Sequence, residues 1–127
     1  MLTPVETVQI LQQHGSEPIT ISAGETIFTE GDPGELMYGL IEGEIQFSLG
    51  GKPAESIGTG DVFGEGALVN SDHKRRSTAT AKTDCKLVTL DKERFLFAVQ
   101  QSPVFALEVL RSYSDRVNTL RHLLVSE

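Results

Sequence analysis

The chain is short of several things, and each shortage excludes something. Its 127 residues contain no Trp and only 6 % aromatics, so the core must be mainly aliphatic. The single cysteine, Cys85, excludes an intramolecular disulfide and fits a reducing compartment. In its apolar strand it reads as a core residue rather than a nucleophile. The three histidines, His14, His73 and His122, lie in different segments with no second ligand at metal spacing, so a histidine-rich metal enzyme is not expected. Basic residues are also few, 11 against 18 acidic ones, giving a formal net charge of −7. Such a surface repels nucleic acid phosphates and anionic membranes on average. No apolar run approaches the roughly 18 residues of a membrane span, and the N-terminus lacks the charged and apolar regions of a signal peptide. Neither Gly-x-Ser-x-Gly nor a phosphate loop ending in Lys-Ser or Lys-Thr occurs. The expectation is a soluble, cytoplasmic, single-domain protein over residues 1–127, not an enzyme. It should have no metal, no cofactor, no membrane contact and no direct DNA binding.

What is present is well ordered along the chain. Residues 1–17 read as an N-terminal helix. Thr3 is suited to the N-cap, Pro4 to the first helical position, and Glu6 completes a capping box in which each side chain satisfies a free backbone N–H. Gly15 ends the helix. Residues 18–90 change to short strand-like runs at 19–22, 25–28, 36–41, 44–49, 54–57, 78–81 and 85–90. Asp32-Pro33-Gly34, Glu42-Gly43, Gly50-Gly51-Lys52-Pro53 and Gly60-Asp61 separate them with turn chemistry. Many short strands at even spacing imply a mainly β fold, an eight-stranded jelly-roll barrel with flanking helices. Residues 91–127 are helical again: Asp91 caps a helix closing near Ser102-Pro103, and a longer one runs from Val104 to Val125. In the longer helix Ala106, Leu110, Tyr113, Val117, Leu120 and Leu124 form a heptad-like seam, while Arg111, Arg116 and Arg121 occupy other faces. That seam packs on the barrel or pairs with a second copy or another protein.

One stretch concentrates ligand chemistry. Gly64 and Gly66 let the backbone approach a ligand, and the segment after Gly64 can start a helical turn whose N–H groups face an anion. Glu65 sits among them. Lys74-Arg75-Arg76, the densest positive charge in the chain, follows about ten residues later. An arginine fork binds phosphate in bidentate fashion, and a carboxylate suits hydroxyl donors. Together these groups describe a sugar-phosphate site. A glycine-rich turn followed by a solvated basic loop would have the same composition.

Phe63-Gly64-Glu65-Gly66-Ala67-Leu68 followed by Arg75-Arg76-Ser77-Thr78-Ala79-Thr80-Ala81-Lys82 resembles the phosphate-binding cassette of cyclic nucleotide-binding domains. These occur in the bacterial catabolite activator protein and in the regulatory subunits of protein kinase A. Glu30-Gly31-Asp32, Leu36-Met37-Tyr38 and Gly43-Glu44-Ile45 are similar to the family's earlier hairpins, and the helices after Asp91 to its hinge and lid helices. The resemblance covers most of the chain.

It implies that the cassette spans 63–78 and that Phe63, Gly64, Glu65, Gly66, Ala67, Arg75, Arg76, Ser77 and Thr78 form the ligand site. Glu65 would accept from the ribose 2′-OH. Backbone N–H groups around Gly64, Gly66 and Ala67 would assist. An ungapped alignment through Ala81-Lys82-Thr83 makes Arg75 the phosphate arginine, whereas aligning the Arg-Ser pair selects Arg76 at the cost of a gap. The implied function is a sensor for a cyclic nucleotide, cAMP or alternatively cGMP, that signals through its C-terminal helices. The alternative is a degenerate domain acting as a ligand-independent interaction or dimerisation module.

Three departures from the family pattern stand out. Gly66 replaces a bulky aliphatic residue, Arg76 replaces a small or hydroxyl residue, and the chain stops at Glu127, where transcription factors of the family continue into a helix-turn-helix. Asn118, Thr119 and Arg121 are polar candidates for covering the purine.

Overall fold

A computed structural model describes residues 2–125; positions 1, 126 and 127, and with them the expected chain end at Glu127, lie outside the described residues. Helix α1 (Pro4–His14) starts as its sequence dictates. The Thr3 hydroxyl accepts from Glu6 N–H at 3.2 Å, and the Glu6 carboxylate accepts from Thr3 N–H at 2.9 Å. The strands are β1 (Ile19–Ile21), β2 (Thr26–Phe28), β3 (Met37–Glu42), β4 (Glu44–Leu49), β5 (Lys52–Gly58), β6 (Val62–Phe63), β7 (Thr78–Ala81) and β8 (Cys85–Leu90). A four-residue helix, α2 (Gly66–Val69), separates β6 from β7, and α3 (Lys92–Gln101) and α4 (Val104–Val125) follow β8. The two-residue strand β6 is too short to show a periodicity, and the sequence reading does not contain it.

The strands pair as two antiparallel four-stranded sheets, β1-β8-β3-β6 and β2-β7-β4-β5. Strand pairing among the described residues stays within each sheet and closes no barrel, so the expected eight-stranded jelly-roll barrel appears as two four-stranded sheets sharing a core. That shared core holds Leu40, Ile45, Ala79, Ala81 and Leu87 together with Phe28, Phe47 and Phe63. A second cluster packs α1, α3 and α4 against the first sheet through Leu11, Met37, Val88, Ala98 and Phe105. Gly39 allows this close approach, because a Cβ there would stand 2.5 Å from Leu11 Cδ2.

Helix α4 does not bury its heptad-like seam. Its buried positions are Phe105, Glu108, Ser112 and Arg116. Glu108 accepts from Leu2 N–H at 3.1 Å and from Arg111 Nε at 2.9 Å, while Ser112 Oγ donates to Asp61 at 3.1 Å. Polar bonds therefore anchor the helix to the segment preceding α1 and to the β5–β6 turn. Leu110 and Leu124 are 63 % and 79 % exposed, so the seam is left available.

Candidate functional site

The loop between β6 and β7 carries the ligand-type residues and folds them against β2, β3 and α4. Gly64 has φ +75°, a left-handed conformation that glycine adopts without penalty. Its carbonyl accepts from Arg75 Nη1 at 3.0 Å, and the Leu36 carbonyl accepts from Arg75 Nη2 at 2.8 Å. The guanidinium lies over the Phe28 ring at 4.3 Å and near the Tyr38 ring at 5.6 Å. Arg75 is buried, and no described residue forms a salt bridge with it. Burial pushes its pKa down, and the charges of Tyr38, Asp32 and Glu65 oppose that shift. A buried cation held by carbonyls and ring faces alone lacks the counter-anion that would offset its desolvation.

The floor of this arrangement is aromatic. Tyr38 stacks on Phe63 with centroids 5.2 Å apart, and Phe47 meets Phe63 edge-on at 5.7 Å. Four of the chain's few aromatic residues thus gather beneath Arg75. Gly34 closes the other side: a Cβ there would be 2.5 Å from Arg75 Cζ and Nη2.

Glu65 stands at the N-cap of α2 and is ion-paired to Arg116 of α4. The Arg116 guanidinium also lies 5.5 Å from the Phe47 ring centroid and 5.3 Å from that of Tyr113. Three buried polar atoms have no partner among the described residues: Glu65 Oε2, Arg75 Nε and Arg116 Nε. All three residues line one cavity of about 660 Å³, walled by the loop, by Phe28, Phe47, Leu49 and Glu55 of the second sheet, and by α3 and α4. On α4 the wall is Leu110, Tyr113, Arg116, Val117 and Leu120, four of them members of the seam. One carboxylate and two guanidinium side chains therefore border the same space, a set that complements a ligand bearing hydroxyl and anionic groups.

The expected site residues divide. Gly64, Glu65, Gly66, Ala67, Arg75, Arg76 and Ser77 line the cavity. Phe63 and Thr78 do not: Phe63 is fully buried in the core below it, and Thr78 Oγ1 accepts from Glu30 N–H at 3.0 Å. Arg76 lies at the rim, where Nη1 and Nη2 donate to the Asp72 carboxylate at 3.1 and 3.2 Å. The Ala67 N–H is engaged with Gly64 O at 3.2 Å. Gly66 leaves room for the Asn70 side chain, whose Nδ2 would be 2.9 Å from a Cβ there. His73, at φ +53°, donates from Nδ1 to Ala67 O at 2.7 Å and pins the loop.

Asn118, Thr119 and Arg121 are exposed on α4 and do not line the cavity. Gly34, the Leu36 carbonyl, Phe28, Glu55 and Arg116 belong to the arrangement without having been singled out as ligand groups from the sequence. Arg116 left one trace there, because it precedes the seam residue Val117 and so lies at the seam's flank.

Known proteins resemble this chain in sequence and in fold. A cAMP-dependent protein kinase regulatory subunit of Emericella nidulans is 35 % identical over 120 residues, covering 93 % of this chain and 28 % of that protein. A regulatory subunit of the same kind from Aspergillus niger is 38 % identical over 96 residues, covering 74 % of this chain and 23 % of that one. The chain thus spans about a quarter of the length of these relatives. A chain solved in work on a cyclic-GMP-dependent signalling pathway of bacterial phytopathogenesis superposes with a TM-score of 0.73 at 29 % identity, covering 92 % of this chain and 94 % of that one. The Thermus thermophilus catabolite activator protein shares the fold, with a TM-score of 0.72 at 24 % identity over 96 % of this chain and 62 % of that one. The model of the cyclic nucleotide-binding domain matches residues 18–102, and the chain belongs to the cyclic nucleotide-binding domain family.

Proposed function

We propose that the chain is a non-catalytic sensor for a cyclic nucleotide, with cAMP as the first ligand to test and cGMP as the second. The observation that carries this reading is one cavity lined by Glu65, Arg75 and Arg116, each of which keeps a buried side-chain atom without a partner among the described residues. In this reading Arg75 takes the cyclic phosphate, Glu65 accepts from the ribose hydroxyl, and the α4 seam covers the base.

The signalling step is a population shift. Arg116 joins α4 to Glu65, so a hydroxyl arriving at Glu65 alters a bond that positions the helix. A ligand moves this equilibrium only by its different affinity for the two arrangements. Titration calorimetry with cAMP and cGMP on the wild type and on Arg75→Ala tests the reading. Wild-type binding lost by roughly 100-fold in the folded variant supports it, since charged hydrogen bonds to phosphate are the strong ones. Unchanged binding in Arg75→Ala overturns the phosphate assignment.

A second reading has one observation behind it: Glu65 already has a cationic partner in Arg116. The domain would then be a ligand-independent module whose exposed seam pairs with a second copy or another protein. Light scattering with and without nucleotide separates the readings, because a nucleotide-independent dimer with no heat of binding favours the module.

A further inference from the structure

The cavity's polar groups are unequally placed. Arg75 and Glu65 serve one end, next to β2, β3 and the loop leading into β7. Glu55 belongs to the opposite end, on the edge strand β5. The Arg75 guanidinium lies over Phe28 of β2, and the sheet order β2-β7-β4-β5 puts β5 three strand spacings from β2, about 14 Å across the sheet. A cyclic purine nucleotide held at Arg75 by its phosphate reaches toward Glu55 with its base over such a span.

Glu55 is two residues from Ile57, which is buried, so both side chains point to the inner face of β5. The backbone beside it is fixed. Gln46 Nε2 donates to the carbonyls of Ala54 at 3.0 Å and Glu55 at 3.2 Å, where the β4–β5 register shifts. Glu55 is half-buried and lines the cavity, and its carboxylate makes no hydrogen bond or ion pair with any described residue. The α4 wall of the cavity is Leu110, Tyr113, Val117 and Leu120 together with Arg116, whose guanidinium is paired with Glu65. A partly desolvated carboxylate in a largely apolar wall is unfavourable unless a donor meets it, and it can only accept.

We infer that Glu55 is the base-reading residue of this cavity and accepts from the amino edge of an aminopurine, either N6 of adenine or N1 and N2 of guanine. This rests on the cyclic nucleotide reading above and deepens it. The seam residues sandwich the base without distinguishing it, and Glu55 supplies the selectivity.

The test is calorimetric titration of the full chain with cAMP, cGMP and an amino-free cyclic purine nucleotide, purine riboside 3′,5′-monophosphate. The wild type, Glu55→Ala and Glu55→Leu are compared. The expected result is that cAMP or cGMP binds the wild type about tenfold or more tighter than the amino-free nucleotide, in line with a charge-assisted hydrogen bond. Whichever wins reports which purine edge faces Glu55. In both variants the advantage disappears while the amino-free nucleotide binds as before, which also shows that they fold. Equal binding of all three nucleotides to the wild type, or an advantage kept in the variants, overturns the role of Glu55 and leaves the phosphate site standing. Absence of binding by all three to the wild type overturns the sensor reading itself.

Discussion

Arg75 and Arg76 are adjacent and chemically identical, yet the structure gives them opposite environments. Arg75 is 6 % exposed and held by two carbonyls and two rings, whereas Arg76 is at the surface with Asp72. The loop must turn one of them inward, and inward space exists only because position 34 lacks a side chain. Gly34→Ala is therefore expected to displace the Arg75 guanidinium, weakening cyclic nucleotide binding at least tenfold and destabilising the fold by about 1–3 kcal/mol, as overpacking does. Calorimetry and denaturant unfolding read the two effects separately. The rim arginine behaves differently. The Asp72 carboxyl is held below its usual range chiefly by the Lys74 backbone N–H, and secondarily by Arg76. Asp72 thus favours the folded loop above the ordinary aspartate range and loses that effect as pH falls through the lowered value. In Arg76→Ala its NMR titration midpoint is expected to rise only part of the way back, because the backbone bond persists.

At the scale of elements, α4 is the part that the site and the scaffold share. Two sets of polar contacts hold it: Glu108, Arg111 and Ser112 to Leu2 before α1 and to the β5–β6 turn, and Arg116 to the loop carrying Glu65. Glu108 is 4 % exposed, so Glu108→Ala leaves a backbone N–H and an arginine short of their acceptor. It is expected to cost about 1–3 kcal/mol in denaturant unfolding. Arg116→Ala acts at the other contact. It frees Glu65 for a ligand hydroxyl but loosens α4, so amide hydrogen exchange in the second half of α4 is expected to rise even without ligand. Unchanged exchange there would show that Arg116 does not position the helix.

For the whole molecule, a ligand that binds only the folded form stabilises by mass action. At a hundred times the dissociation constant this amounts to about 2.7 kcal/mol, which for a domain of this size raises Tm by roughly 10 °C. Cyclic nucleotide is expected to produce such a shift in the wild type and, at the same concentration, only about 1–2 °C in Arg75→Ala, whose roughly 100-fold weaker binding leaves about 0.4 kcal/mol. In the proposed reading salt weakens binding only modestly, since Arg75 is buried and screening acts mainly on exposed charges. The apolar seam on α4 bears on assembly. With Leu110, Tyr113 and Leu124 exposed, self-association would be read by light scattering, and Leu110→Lys with Leu124→Lys is expected to abolish it.

Much of this protein is determined by local chemistry that the sequence carries openly. The capping box at Thr3 and Glu6, the end of α1 at Gly15, the cap at Asp91 and the strands at 44–49, 78–81 and 85–90 rest on neighbouring residues, and they appear where those residues put them. The glycine, glutamate and arginine of the loop were legible for the same reason, since they are close in the chain. Tertiary structure decided the rest. The cation–π faces of Phe28 and Tyr38, the clearance at Gly34 and the Arg116–Glu65 pair join residues 37 to 51 positions apart along the chain, and Glu55 reaches the same cavity from another strand. It also decided which side of α4 is buried. Apolar spacing pointed to the seam, but the helix is anchored through Glu108, Ser112 and Arg116, because buried charges find partners only where the packed chain brings those partners to them.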